Sequence, residues 1–144
     1  MRGIKIRELI PEDLPEIYRL GLESFKSSPD YFKWTPEKIA ETLITSMEYS
    51  TVAVRRKNLL AFAIPDIQKF QGTINAELRW IGTTGNLKGK LEGSVLDAMF
   101  EKTAKLNIKR WRAFIPEEDS IIHEILRKHG FSDNNELKLL KLDN

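Results

Sequence analysis

The chain has 144 residues, 41% of them hydrophobic, no cysteine, and a net charge of +2 from 23 basic and 21 acidic side chains. That length suits one domain, residues 1–144, around one core. The missing cysteines exclude disulfides, thiolate metal sites and cysteine nucleophiles and fit a reducing, cytoplasmic setting; no metal site is expected. The near-balanced charge argues against nucleic acid as the main partner. No run approaches the roughly 18 apolar residues of a membrane span, and the opening residues lack the apolar core of a signal peptide.

Ile4 and Ile6 alternate with charged residues and, with Leu9, predict a strand. Pro11-Glu12-Asp13 opens a helix with acids in its first turn, and Leu14, Ile17, Tyr18 and Phe25 form its apolar stripe. Residues 27–30 end it. Thr35-Pro36-Glu37 predicts a second helix, capped by the threonine, with Ile39, Leu43 and Met47 at helical spacing. Residues 51–54 and 59–67 predict a hairpin around Lys57-Asn58, and 74–83 a third strand after the Gln71-Gly72 turn. Residues 85–93 are too glycine-rich for helix or strand; a helix is expected from Ser94 to Leu106, with Val95, Leu96, Met99 and Phe100 on its inner side. Trp111 begins a short strand that Pro116 stops. Asp119-Ser120 caps a helix through Ile122, Ile125 and Leu126, closed by Gly130, and Leu137, Leu139 and Leu140 predict a last strand. The order is β-α-α-β-β-β-α-β-α-β.

A glycine-rich turn entering a helix leaves backbone N–H groups pointing outward, and the helix dipole adds positive charge there. Leu87, Lys88, Gly89, Lys90, Leu91, Glu92, Gly93 and Ser94 are therefore candidates to hold a pyrophosphate, with Lys88 and Lys90 as adjacent cations. A solvated loop without a ligand is the alternative. Trp80 and Trp111 fall on strands and are expected in the core, and Arg55-Arg56-Lys57 on a solvated turn.

The element order resembles that of the GCN5-related N-acetyltransferases over nearly the whole chain. Three segments carry the likeness. Ile4-Lys5-Ile6-Arg7 followed by Pro11-Glu12-Asp13-Leu14 resembles the family's first strand and helix start. In the strand-loop-helix of residues 77–106, Lys88 and Gly93 stand at the ends of a pattern of Arg or Gln, two residues, Gly, one residue, then Gly or Ala. Leu126-Arg127-Lys128-His129-Gly130-Phe131 resembles the family's Tyr-Glu-Lys-Leu-Gly-Phe ending. Leu91 replaces the central glycine, and Leu126 the tyrosine of many members.

The resemblance implies an α/β (α+β) domain: a mixed central sheet of about six to seven strands flanked by about four helices. It implies acetyl-CoA as cofactor, a protein or small-molecule amine as acceptor, and a possible homodimer. Transfer would proceed by direct attack in a ternary complex. An amine with a pKa of about 10.4 must lose a proton, the oxyanion needs donors, and the leaving thiolate can take a proton. Glu77 is the candidate base, with Glu48 and Asp30 as weaker ones. Backbone N–H groups near Ile81, Gly82 and Thr83 are the candidate oxyanion donors, and Gly82 either admits the thioester or marks a bulge or packing contact. His123, on the same helix face as Leu126, is the candidate acid in place of the tyrosine; His129 is expected to complement the helix end. Tyr31, Phe32 and Trp34 are expected either to line the acceptor pocket or to cap the core. The replaced glycine and tyrosine leave a second reading open, a non-catalytic acyl-CoA-binding or protein-interaction module.

Overall fold

Alternation near the start produces β1 (Ile4–Glu8), and Leu9 beyond it is completely buried. The acidic segment after it differs from the expected helix start: Pro11–Asp13 forms a single 3-10 turn, and α1 runs over Leu14–Ser24. A computed structural model of the chain describes residues 2–26, 33–116, 119–134 and 139–143. The turn is tight because Asp13 binds backward, accepting the Ile10 N–H at 2.9 Å and both terminal nitrogens of Arg7 at 2.8 and 2.9 Å. Burial pushes the Asp13 carboxyl up; the Arg7 hydrogen bonds, the Ile10 N–H and the Arg7 charge outweigh it and hold the group below its ordinary value.

Helix α2 (Pro36–Ser46) starts as the sequence predicts, with Thr35 Oγ1 accepting the Lys38 N–H at 3.2 Å and Pro36 in the first helical position. β2 (Thr51–Arg55) and β3 (Asn58–Phe70) form the expected hairpin. β3 turns into β4 (Thr73–Thr83) through Gln71 and Gly72, whose φ values of 49° and 80° fit a two-residue turn of the type that matches strand twist. Then follow α3 (Glu92–Thr103), β5 (Arg110–Phe114), α4 (Ser120–Lys128), β6 (Ser132–Asn134) and β7 (Leu139–Asp143). The Asp119 cap and the Gly130 stop act as predicted: Asp119 Oδ1 accepts the Ile122 N–H at 3.2 Å, and Gly130 has φ 96°. The predicted position Leu137 lies outside the described residues.

The strands join in one sheet of order β1-β2-β3-β4-β5-β7-β6, antiparallel throughout except for β4 beside β5. The predicted order thus gains one short strand, β6, between α4 and β7. A parallel neighbour demands a crossover, and α3 supplies it.

Two apolar clusters fill the faces of the sheet. One face carries α3 and α4 over Ala76, Leu78, Ile81 and Trp111. The other carries α1 and α2 over Phe62, Ile64 and Trp80. Trp34 is the centre of the second cluster, edge-on to Phe25 at 5.1 Å and to Trp80 at 4.9 Å and stacked on Phe62 at 5.4 Å. Each such aromatic pair contributes about 0.5–1.5 kcal/mol beyond area burial. Of the two roles open to Trp34, the structure therefore assigns the core and not an acceptor pocket: the residue is 1% exposed and its indole N–H is donated to the Tyr18 carbonyl at 2.9 Å.

Candidate active-site cleft

The ladder between β4 and β5 is short. Asn75 pairs with Arg110, Ala76 with Trp111 and Glu77 with Arg112, and the pairing stops there. Beyond Glu77, β4 continues to Thr83 hydrogen-bonded to β3, and β5 continues to Phe114 hydrogen-bonded to β7. The two strands separate, and residues 78–83 run along the gap beyond the last β4–β5 pair.

A bulge in β4 marks the separation. Ile64 opposes Trp80 while Pro65 opposes Leu78, so Arg79 is an extra residue. A bulge twists and re-aims its strand. Here it exchanges the faces: Ala76 and Leu78 pack under α3 and α4, then Trp80 turns to the opposite cluster while Ile81 returns. Pro65, which has no N–H to give, sits where the ladder is already irregular. The Arg79 guanidinium lies 4.4 Å from the Trp80 ring centroid. The signal was present in the sequence, because the alternation through Ile74, Ala76 and Leu78 breaks at the apolar pair Trp80-Ile81.

The gap holds a cleft of about 370 Å³. Its walls are residues 78–83 of β4 on one side and Phe114, Ile115 and Pro116 on the other. Its ends are Glu23 to Lys26 at the end of α1, Lys88 and Glu92 in the loop and first residue of α3, and the cap Asp119 with Ile122 at the start of α4. Of the candidates, Ile81, Gly82, Thr83, Lys88 and Glu92 line it; Leu87, Gly89, Lys90, Leu91, Gly93 and Ser94 lie on the same loop and helix start without lining it. Thr83 is 8% exposed, and its hydroxyl has no hydrogen-bond partner among the described residues. Ser24 Oγ donates to the Thr83 carbonyl at 3.3 Å, tying the end of α1 to the end of β4. Gly82 packs closely, since a Cβ there would lie 2.7 Å from Phe62 Cε1.

The loop before α3 departs from the open amide cradle expected. Gly89 has φ 88°, the left-handed region that favours glycine, but Leu91 sits at φ −116° and is 4% exposed, so its side chain costs the loop no backbone strain and fills the core. The N–H groups of Lys88, Lys90, Ser94 and Val95 are donated to carbonyls of Gly85, Leu87, Leu91 and Leu91. Those of Gly89 and Leu91 are donated to Glu92, Gly89 reaching Oε1 at 2.8 Å and Oε2 at 3.0 Å and Leu91 reaching Oε1 at 3.3 Å. The Glu92 side chain is buried, at 1% residue exposure. This backward binding starts α3 at Glu92, two residues before the predicted Ser94. Lys88 Nζ lies 3.2 Å from Asp119 Oδ2, an ion pair from the loop to the start of α4.

Glu77 is half-buried at the last paired position of β4, level with Asp66 of β3 and Arg112 of β5, and does not line the cleft. His123 is 7% exposed and also lies off the cleft. Its Nε2 is 3.0 Å from the Pro116 carbonyl oxygen, a contact only an N–H satisfies, and its Nδ1 is enclosed without a partner among the described residues. His123 thus stands against the Pro116 backbone and is not among the residues that line the cleft. His129 does complement the end of α4: Nδ1 lies 2.9 Å from the Ile125 carbonyl, and Nε2 reaches Asp97 on α3 at 2.7 Å. Tyr31, Phe32 and Asp30 lie outside the described residues. Arg79 and Asp119 line the cleft without having been candidates for it, and Glu92, a candidate, does so with a carboxylate bound to the loop amides. Among the described residues no group of three His, Asp or Glu side chains is placed to hold a metal ion, and no helix is long and apolar enough to cross a membrane.

No protein-family model matches the chain. No curated protein sequence matches it either. Solved structures do. Arabidopsis thaliana Naa50 in complex with the bisubstrate analogue CoA-Ac-MVNAL superposes with a TM-score of 0.81 at 11% identity, covering 99% of each chain. The PaiA N-acetyltransferase of Thermoplasma acidophilum in complex with coenzyme A gives 0.76 at 18% identity over 98% of this chain and 99% of that one. The ribosomal-protein-S18-alanine N-acetyltransferase of Escherichia coli gives 0.74 at 14% identity over 97% and 93%. At these identities the likeness is one of architecture, and on that ground the chain has the fold of the GCN5-related N-acetyltransferases.

Proposed function

We propose that the chain is an N-acetyltransferase that carries the acetyl group of acetyl-CoA to a primary amine by direct attack in a ternary complex. The observation that carries this reading is the parting of β4 and β5 after Glu77 and Arg112, which leaves a cleft walled by strand backbone and ended by a helix start. Superposable N-acetyltransferases crystallised with coenzyme A or a CoA-based bisubstrate analogue support it.

Acetyl-CoA would supply an acyl thioester. The residues that would hold it are the β4 edge 78–83, with the buried Thr83 hydroxyl that has no partner among the described residues, and Lys88 at the loop. Backbone N–H groups of the strand edge near Ile81 to Thr83 would stabilise charge developing on the carbonyl oxygen. Glu77 would take the proton of the incoming amine through a water, because its position on β4 is just outside the cleft. The amine nitrogen forms the new C–N bond, the C–S bond breaks, and sulfur departs as thiolate. A thiol pKa of about 8.5 makes that departure tolerable without an acid.

A second reading is favoured by one observation: the Glu92 carboxylate sits on the loop amides, and this suits a module of the same fold that does not turn over. One assay separates the two. The chain contains no cysteine, so thiol released from acetyl-CoA can be titrated with no protein background. Amine-dependent thiol release across a panel of peptide N-termini, lysine peptides, polyamines and small amines supports the enzyme. A rise in melting temperature with acetyl-CoA but no release with any amine supports the module.

A further inference from the structure

The carboxylate on the loop has a functional consequence. A helix start with free amides attracts anions, and in this chain an anion is already there. Glu92 is the first residue of α3, and its carboxylate takes two N–H groups, those of Gly89 and Leu91, with three contacts of 2.8 to 3.3 Å. It is not a surface cap, because the residue is 1% exposed while still bordering the cleft. The cleft-lining lysine of the same loop is engaged in the same way: Lys88 Nζ is paired with Asp119 Oδ2. Amides and ammonium, the groups that recognise a diphosphate, are thus both held by carboxylates of the chain itself. Thr83 lines the cleft beside them, and its buried hydroxyl has no hydrogen-bond partner among the described residues.

We infer that Glu92 is a built-in surrogate for the cofactor diphosphate, and that this carboxylate must leave the Gly89 and Leu91 amides before acetyl-CoA can be held there. The inference rests on the acetyl-CoA reading above. It makes Glu92 the residue that sets cofactor affinity, with Asp119 a weaker contributor because its ion pair is partly exposed. Release has a cost. Hydrogen bonds to a charged group are the strong ones, and a displaced carboxylate near a diphosphate adds like-charge repulsion.

The test uses Glu92→Leu, which replaces the carboxylate with an apolar side chain suited to a buried position, and Glu92→Gln, which keeps the shape and removes the charge. Acetyl-CoA and inorganic pyrophosphate are titrated into the wild type and both variants by calorimetry. Hydrogen exchange at Gly89 and Leu91 is read without ligand. The expected result is faster exchange at both amides in Glu92→Leu and acetyl-CoA binding at least about tenfold tighter than in the wild type, with Glu92→Gln between them and pyrophosphate following the same order. Equal affinity in all three overturns the inference and leaves the acetyltransferase reading standing. Weaker binding in the variants overturns it too, by making Glu92 a structural cap. Binding of acetyl-CoA by none of the three removes both the reading and the inference. Should Glu92→Leu fail to fold, the Glu92→Gln comparison alone decides.

Discussion

Gly21 and Trp34 are packed against each other: a Cβ on Gly21 would overlap Cε2, Nε1 and Cζ2 of the Trp34 indole. The glycine is buried in the last turn of α1, and the indole N–H is donated to the carbonyl of Tyr18 on the same helix. Replacing Gly21 by alanine should favour the helix by up to about 1 kcal/mol. Forcing the ring aside in a packed core costs about 1–3 kcal/mol or more, and the second effect wins. The net loss of about 1–2 kcal/mol should lower the melting temperature of Gly21→Ala by about 2–8 °C. An unchanged or raised melting temperature would show that α1 and Trp34 are not packed in this way.

The same contact shows what the sequence could not say. Thr35-Pro36 marks the start of α2 plainly, because a side-chain acceptor and a ring without N–H both belong there. Nothing local says which way Trp34 turns. Its orientation is set by the absence of a side chain at Gly21, a relation between distant positions. The strands from β1 to β5, the caps at Thr35 and Asp119 and the stop at Gly130 were legible because each rests on neighbours in the chain, whereas the short β6 was not. The Glu92 contact was not. A glutamate in a glycine-rich turn reads as solvated, and only the three-dimensional fold buries it among the amides it binds.

Asp13 and Arg7 tie β1 to the turn before α1. Because the folded-state pKa of Asp13 lies below its ordinary value, the stabilisation is complete above the unfolded pKa of about 3.9. It is lost as pH falls through the lower folded value. Asp13→Asn should cost about 1–3 kcal/mol at neutral pH. The gap between wild type and variant should be constant above about pH 5 and shrink below about pH 4. Denaturant midpoints measured across that range check it; a gap independent of pH down to 2 would remove the ion pair from the account.

Gly82 and Phe62 meet across β3 and β4, and a Cβ at Gly82 would come within 2.8 Å of Phe62 Cζ and 3.2 Å of Ser24 Oγ. Gly82→Ala should destabilise by about 1–3 kcal/mol. Adding Phe62→Leu should return part of that loss, a coupling that a double-mutant cycle reads directly. Additive losses would place the two residues out of contact.

Glu77→Gln tests the proposed base. It should lower kcat for the best amine by about a hundredfold while leaving acetyl-CoA affinity within twofold or so, because Glu77 lies off the cleft. Equal rates for the two proteins would reassign the base. A joint fall in kcat and cofactor affinity would instead indicate damage to the β4–β5 junction, where Glu77 is matched with Arg112.

The central claim is that the parted edges of β4 and β5 receive a pantetheine chain. Hydrogen exchange of the wild-type protein with and without saturating acetyl-CoA tests it segment by segment. The account predicts slowed exchange along residues 78–83 of β4 and at the loop before α3, with little change in β1 and β2. Binding without protection of residues 78–83, or no binding at millimolar acetyl-CoA, would contradict it.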